Sequence, residues 1–169
     1  MDDERRIGLW RQFGGAIDML EGAMAACPEY LWADNSRQPP FWRLAYHTLF
    51  WLDLYLYGST EGFAPPAPFK LEELDPAGLA PERLYSKDEL QNYLEYCREK
   101  CRSTIGALTA EKAASRKSFV WGEVSFEELL IYNLRHVQHG AAQMNLILRQ
   151  TVDTAARWVG MTKRQLYDR

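Results

Sequence analysis

The chain has 169 residues, 47% of them hydrophobic and 13% aromatic. At this length roughly 70% of the unfolded surface can be buried, so one domain spanning residues 1–169 needs neither disulfide nor metal to fold. Twenty basic against 23 acidic residues leave a net charge of −3, which argues against a nucleic-acid partner, since such binding relies on a basic face.

The N-terminus opens Met-Asp-Asp-Glu-Arg-Arg, acidic and without an adjacent apolar run, so it does not read as a secretory signal. No apolar run approaches the ~18–20 residues that span a bilayer. The three cysteines, Cys27, Cys97 and Cys101, are an odd set. These observations predict a cytoplasmic protein with free thiols and no membrane partner. Cys97 and Cys101, four apart in a helical pattern, read as small buried apolar residues.

From about Asp3 to Ala26, Ile7, Trp10, Gly14, Ile17, Leu20 and Met24 recur at spacings of three and four, predicting an amphipathic helix that Cys27-Pro28 ends. Glu29 to Gln38 is a connector carrying Leu31 and Trp32. A second helix starts at Pro39-Pro40 and runs to about Tyr57, with Gly58 as its C-terminal cap. Its aromatics lie nearly all round, which predicts burial on more than one side.

Ser59 to Tyr85 holds five prolines and two glycines and reads as a long loop over one end of the molecule or a crossover. Ser86-Lys87-Asp88-Glu89 is a capping box that starts a third helix, continued by Leu90, Cys97, Cys101 and Leu108. Arg116 to Val124 is a short link containing Trp121-Gly122. Ser125-Phe126-Glu127-Glu128 repeats the capping signature and opens a fourth helix to about Gln150. The tail, Thr151 to Arg169, has the weak periodicity of a short terminal helix. The whole predicts an all-α, up-down four-helix bundle with a long Pro-rich loop between its second and third helices.

The three histidines are the informative polar feature. His47 lies midway along the second helix, His136 and His139 midway along the fourth. In a bundle, ligands from facing helices converge inside, and neutral imidazole suits zinc, nickel or iron. The competing reading is three hydrogen-bonded core histidines. Asp53 and Glu128 are the nearest candidate proton-transfer groups, but both lie far along their helices and read as solvated carboxylates. Tyr46, Trp51, Tyr55 and Trp121 read either as core or as the wall of an apolar pocket. There is no phosphate loop, serine elbow or H-E-x-x-H helix.

Trp42-Arg43-Leu44-Ala45-Tyr46-His47 resembles the second-helix segment of DinB/YfiT-like proteins, and Arg135-His136-Val137-Gln138-His139-Gly140-Ala141-Ala142-Gln143-Met144-Asn145 resembles their fourth-helix segment. The resemblance implies a bundle, often a homodimer, acting on a small molecule. It also implies a divalent metal (zinc, nickel, manganese or iron) held by one histidine of the second helix and an H-x-x-x-H pair of the fourth. Family chemistry includes thiol transfer and metal-dependent hydrolysis; a bundle that has lost its metal and only binds a ligand or protein is the rival.

Carried over, His47 matches the first ligand and His136 the second, while the third position falls on Gly140. His139 stands one residue early, about 60° from His136 in projection. Either His139 takes the third place, or the metal rests on two histidines and water, or the site is empty. Gln143 matches a glutamine that often follows the family's pair and completes the expected pocket with Gly140, Tyr46 and Trp51. Glycine inside a helix costs about 1 kcal/mol relative to alanine, which close approach of a neighbouring helix or room for a ligand would offset.

Overall fold

Four long helices carry the stripes read from the sequence. In the computed structural model, which describes residues 2–78 and 81–167, α1 spans Asp3–Ala26, α3 Phe41–Tyr57, α4 Lys87–Gly106 and α6 Phe126–Val152. Between them lie the single-turn α2 (Glu29–Trp32), the short α5 (Ala110–Ala114), and a two-stranded antiparallel sheet of β1 (Arg116–Phe119) and β2 (Gly122–Ser125). No helix among the described residues is long and apolar enough to cross a membrane.

The helix ends follow from local chemistry. Asp2 accepts the Arg5 N–H at 2.8 Å and starts α1. Both halves of the Ser86–Glu89 capping box form at α4, and Ser125 caps α6 by accepting from the Glu128 N–H. Gly58 ends α3 at φ +89°, a backbone that costs glycine nothing.

α1 packs against α4 and α6, and α3 packs against the same two. Each apolar stripe is thereby covered from two sides. α3 is covered most completely: of its residues before Tyr57, only Arg43, His47 and Trp51 are not buried, and they lie four apart on one strip. That strip faces the groove beside α6.

Three expectations change. The link at Arg116 to Val124 is the β1–β2 hairpin, with Lys117 opposite Val124 and Phe119 opposite Gly122. The tail forms no terminal helix among its described residues. From Asp153 to Tyr167 it lies along α1, where the Thr162 N–H donates to the Arg11 carbonyl at 2.9 Å and the Trp10 indole to the Arg164 carbonyl at 2.8 Å. Gly14 makes this approach possible, because a Cβ there would lie 2.9 Å from Thr162 Cβ. Finally, Asp53 is not solvated: it is fully buried, accepting from the Tyr93 hydroxyl at 2.9 Å and pairing with Lys100. Asp53 lies off the Arg43–His47–Trp51 strip, the only part of α3 before Tyr57 that is not buried.

Cys27, Cys97 and Cys101 are free and buried. Burial pushes the Cys27 thiol up to about 12, and raises those of Cys97 and Cys101 too. None is a thiolate near neutral pH.

Candidate functional site

Mid-way along the groove, α3 and α6 bring two of the three histidines together. The ring centroids of His47 and His136 are 5.5 Å apart, with the rings inclined at 61°. His136 is largely buried, and its Nε2 has no hydrogen-bond partner among the described residues. Burial, with the facing His47, pushes its pKa down to about 4. Its imidazole is therefore neutral at physiological pH, the form that ligates metals and accepts protons.

A cavity of about 420 Å³ opens beside the pair. His139, Gly140 and Gln143 line it from α6, Arg43 and Thr48 from α3, and Glu73 from the loop before α4. His139 itself is exposed. Of the other expected pocket residues, Trp51 lies in the wall nearby, whereas Tyr46 is fully buried, donating to the Lys70 carbonyl at 3.0 Å and packing on Phe50, Phe69 and Tyr85. Tyr46 is thus core, holding the loop onto α3, and Glu128 is solvated on the surface of α6.

Glu73 is the residue that sequence reasoning missed. It sits in a 3-10 turn (Glu72–Leu74) and its Oε2 lies 2.6 Å from His47 Nδ1 and 3.2 Å from the Trp51 indole nitrogen, which donates to it. Burial, the largest single influence, would raise the Glu73 carboxyl, but the hydrogen bond and charge of His47, the Trp51 indole and the charge of Arg43 together outweigh it, and the group is held below its usual range. A carboxylate on one imidazole nitrogen fixes the tautomer and makes the other nitrogen a better base or ligand. Nothing local links the two residues, 26 positions apart; the only signal was an acidic pair in a long proline-rich loop.

Gly140 is explained by its neighbour. A Cβ at Gly140 would strike the Thr48 hydroxyl and lie 2.8 Å from Thr48 Cγ2. Thr48 is buried and its hydroxyl donates to the Leu44 carbonyl at 2.8 Å. The place one turn after His136 is therefore filled from α3, and no side chain can be housed there unless Thr48 moves.

The donor set can be tested against a metal. Two imidazoles sharing one tetrahedral ion, with metal–nitrogen distances of about 2.0–2.1 Å, have centroids roughly 5–5.5 Å apart. The observed separation fits, as does the unpartnered Nε2 of neutral His136 and the Glu73 acceptor behind His47. A third protein ligand does not fit at Gly140. Among the described residues, no three histidine, cysteine, aspartate or glutamate side chains form a group set to hold an ion. The residues present thus suit an open two-histidine site rather than a closed structural one.

No curated protein matches the chain. A family model described as the DinB superfamily matches residues 12–144, well over half of the chain and inclusive of α3, Glu73, His136, His139 and Gly140. The chain belongs to the DinB superfamily.

Proposed function

We propose that the α3–α6 groove is an enzyme site for a small molecule, in which His47 and His136 hold a divalent metal ion. The observation that carries this is the 5.5 Å histidine pair with its buried, unpartnered Nε2. Bound there, the ion would lower the pKa of a coordinated water or thiol and so supply a nucleophile for hydrolysis or thiol transfer. Glu73 orients His47 through Nδ1. Burial keeps His136 neutral, and Thr48 fixes how close α3 stands to α6. His139, which is exposed, lines the rim of the same cavity. Coordination positions left open by two protein ligands suit catalysis better than structural support.

A second reading has its own support. Thr48 occupies the place of the family's third ligand, which favours a metal-free pocket that binds a small ligand. For a partner, both readings take a second copy of the chain, supported by the exposed Ile131 (51%) and Leu146 (53%) on α6.

Native mass spectrometry of untagged protein after exposure to zinc, nickel or manganese tests both points. About one ion per chain, lost in His136→Ala and retained in His139→Ala, on a species of twice the chain mass, is the expected result. No ion on the wild-type chain would sink the metal reading in favour of the metal-free pocket. A single-chain species carrying the ion would remove the second copy and keep the site.

A further inference from the structure

Glu73 lines a second cavity as well. This one, of about 520 Å³, lies between α3 and the β1–β2 hairpin, walled by Trp51 and Tyr55 from the helix, Phe119 and Trp121 from the hairpin, and Glu73 with Leu74 from the loop. The rings form a continuous set. Trp51 lies 5.4 Å from Tyr55, Tyr55 meets Phe119 edge-on at 5.3 Å, and Phe119 is parallel to Trp121 at 5.6 Å. Trp121 is backed by Tyr132, stacked at 4.5 Å, and remains 41% exposed.

Pinning the hairpin explains part of this. Two four-residue strands are marginal alone, and aromatic packing anchors them to α3 and α6. It does not explain a carboxylate among the rings. Both hydrogen bonds to Glu73 fall on Oε2, and no basic residue among those described lines the cavity. Such a wall repels anions, and a neutral apolar guest would strip water from the carboxylate without replacing it. Aromatic walls with a carboxylate among them are complementary to one class: a cation with an apolar skin, as an alkylated ammonium group has. A primary ammonium holds its water more strongly and gains less.

We propose that this cavity binds a small alkylated ammonium group, with Trp51, Tyr55, Phe119 and Trp121 around it and Glu73 as counter-charge. Cation recognition stands on this cavity alone. That the cation is the anchoring end of the substrate rests on the reading of the histidine pair, which Glu73 and Trp51 join to the cavity.

Choline and its neutral carbon isostere, 3,3-dimethylbutan-1-ol, are matched probes in shape that differ in charge. Each would be titrated into the full chain in the presence of a chelator, followed by calorimetry and by tryptophan fluorescence. Choline is expected to bind saturably and at least ten-fold more tightly than the alcohol. Trp121→Ala and Glu73→Gln should each weaken it ten-fold or more, with helical circular dichroism unchanged. Trp121 is on the hairpin surface, so that variant keeps the test sharp even if changing Glu73 disturbs its loop. Equal binding of the alcohol, undiminished binding by Trp121→Ala, or no saturable choline binding would each overturn the proposal. Because metal is absent throughout, none of these outcomes bears on whether the histidines hold an ion.

Discussion

Asp53 and Glu73 are both carboxylates placed against aromatic rings, yet they end in opposite conditions. Asp53 is fully buried and both its oxygens are used, Oδ2 by the Tyr93 hydroxyl and Oδ1 by Lys100. Lys100 in turn lies over the rings of Tyr57, Phe63 and Tyr96 at 5.6–5.9 Å. Even so, burial raises the Asp53 carboxyl above its usual range. Glu73 keeps 10% of its side chain exposed, receives both its bonds on one oxygen, and is held below its usual range, against burial, by His47, Trp51 and Arg43 together. A saturated carboxylate fixes α3 to α4. One with an oxygen left over, facing two cavities, retains chemistry.

The sharpest way to break this contrast is to remove each group. Asp53→Ala leaves the Tyr93 hydroxyl and Lys100 without their partner, and breaking a buried pair costs about 3–5 kcal/mol. Glu73→Gln keeps an amide oxygen that can accept from both donors as Oε2 does, so only the charge is lost and the cost should be about 1 kcal/mol. Urea unfolding of the two variants beside the wild type measures both. A loss below about 1 kcal/mol for Asp53→Ala would show that Lys100, 23% exposed, simply swings into water, and the frame role would fall.

Acid sharpens the comparison from the groove side. His136 titrates near 4 when folded and near 6.5 when unfolded. A depressed base means that the unfolded chain binds the extra proton between those values. Its contribution is therefore complete above about pH 6.5 and lost progressively as pH falls towards 4. The size is on the order of 3 kcal/mol by pH 4, since a tenfold difference in proton affinity between the two states is worth about 1.4 kcal/mol. His47, His139 and Glu73 also act on the charge of this ring, so the difference between wild type and His136→Asn is the measure. Unfolding free energies recorded from pH 7 to 4 should converge as pH falls. Parallel curves would mean that His136 is hydrated and already free to protonate.

How much of this was legible in the sequence differs between frame and site. Periodicity and capping boxes mark the four long helices to within a few residues, because both signals are local and strong. The hairpin is not legible, since Arg116–Phe119 and Gly122–Ser125 are too short for alternation to stand out. The tail's path is foreshadowed only by Gly14, Gly15 and Gly22, which lie where Thr162, Met161 and Ala156 approach α1; glycines in a helix mark a close neighbour without saying which. At the site, His47 and His136 could be paired because each lies at mid-helix depth. Glu73 could not, because a loop without periodicity carries no information about which helix it crosses. Asp53 misled for a related reason: six residues beyond His47, its partners come from α4, and nothing in its own helix names them.

Gly140 offers the finest test, because it asks whether the groove is shaped by absence of a side chain or by presence of Thr48. In an unobstructed helix, glycine to alanine should stabilise by about 1 kcal/mol. Here the new methyl would meet Thr48, and overpacking typically costs about 1–3 kcal/mol, so the expected gain is cancelled or reversed and Gly140→Ala should destabilise by up to about 2 kcal/mol. Thr48→Ala removes the hydroxyl and Cγ2 but leaves Cβ, 3.1 Å from the added methyl, a contact that a small helix shift relieves. In that background Gly140→Ala should be neutral or mildly stabilising, giving a coupling of at least about 1 kcal/mol in a double-mutant cycle. Additive effects would mean that α3 and α6 do not approach so closely here. The space after His136 would then be open to a ligand rather than filled by the protein, and the two-histidine site would have a third coordination position inside the groove.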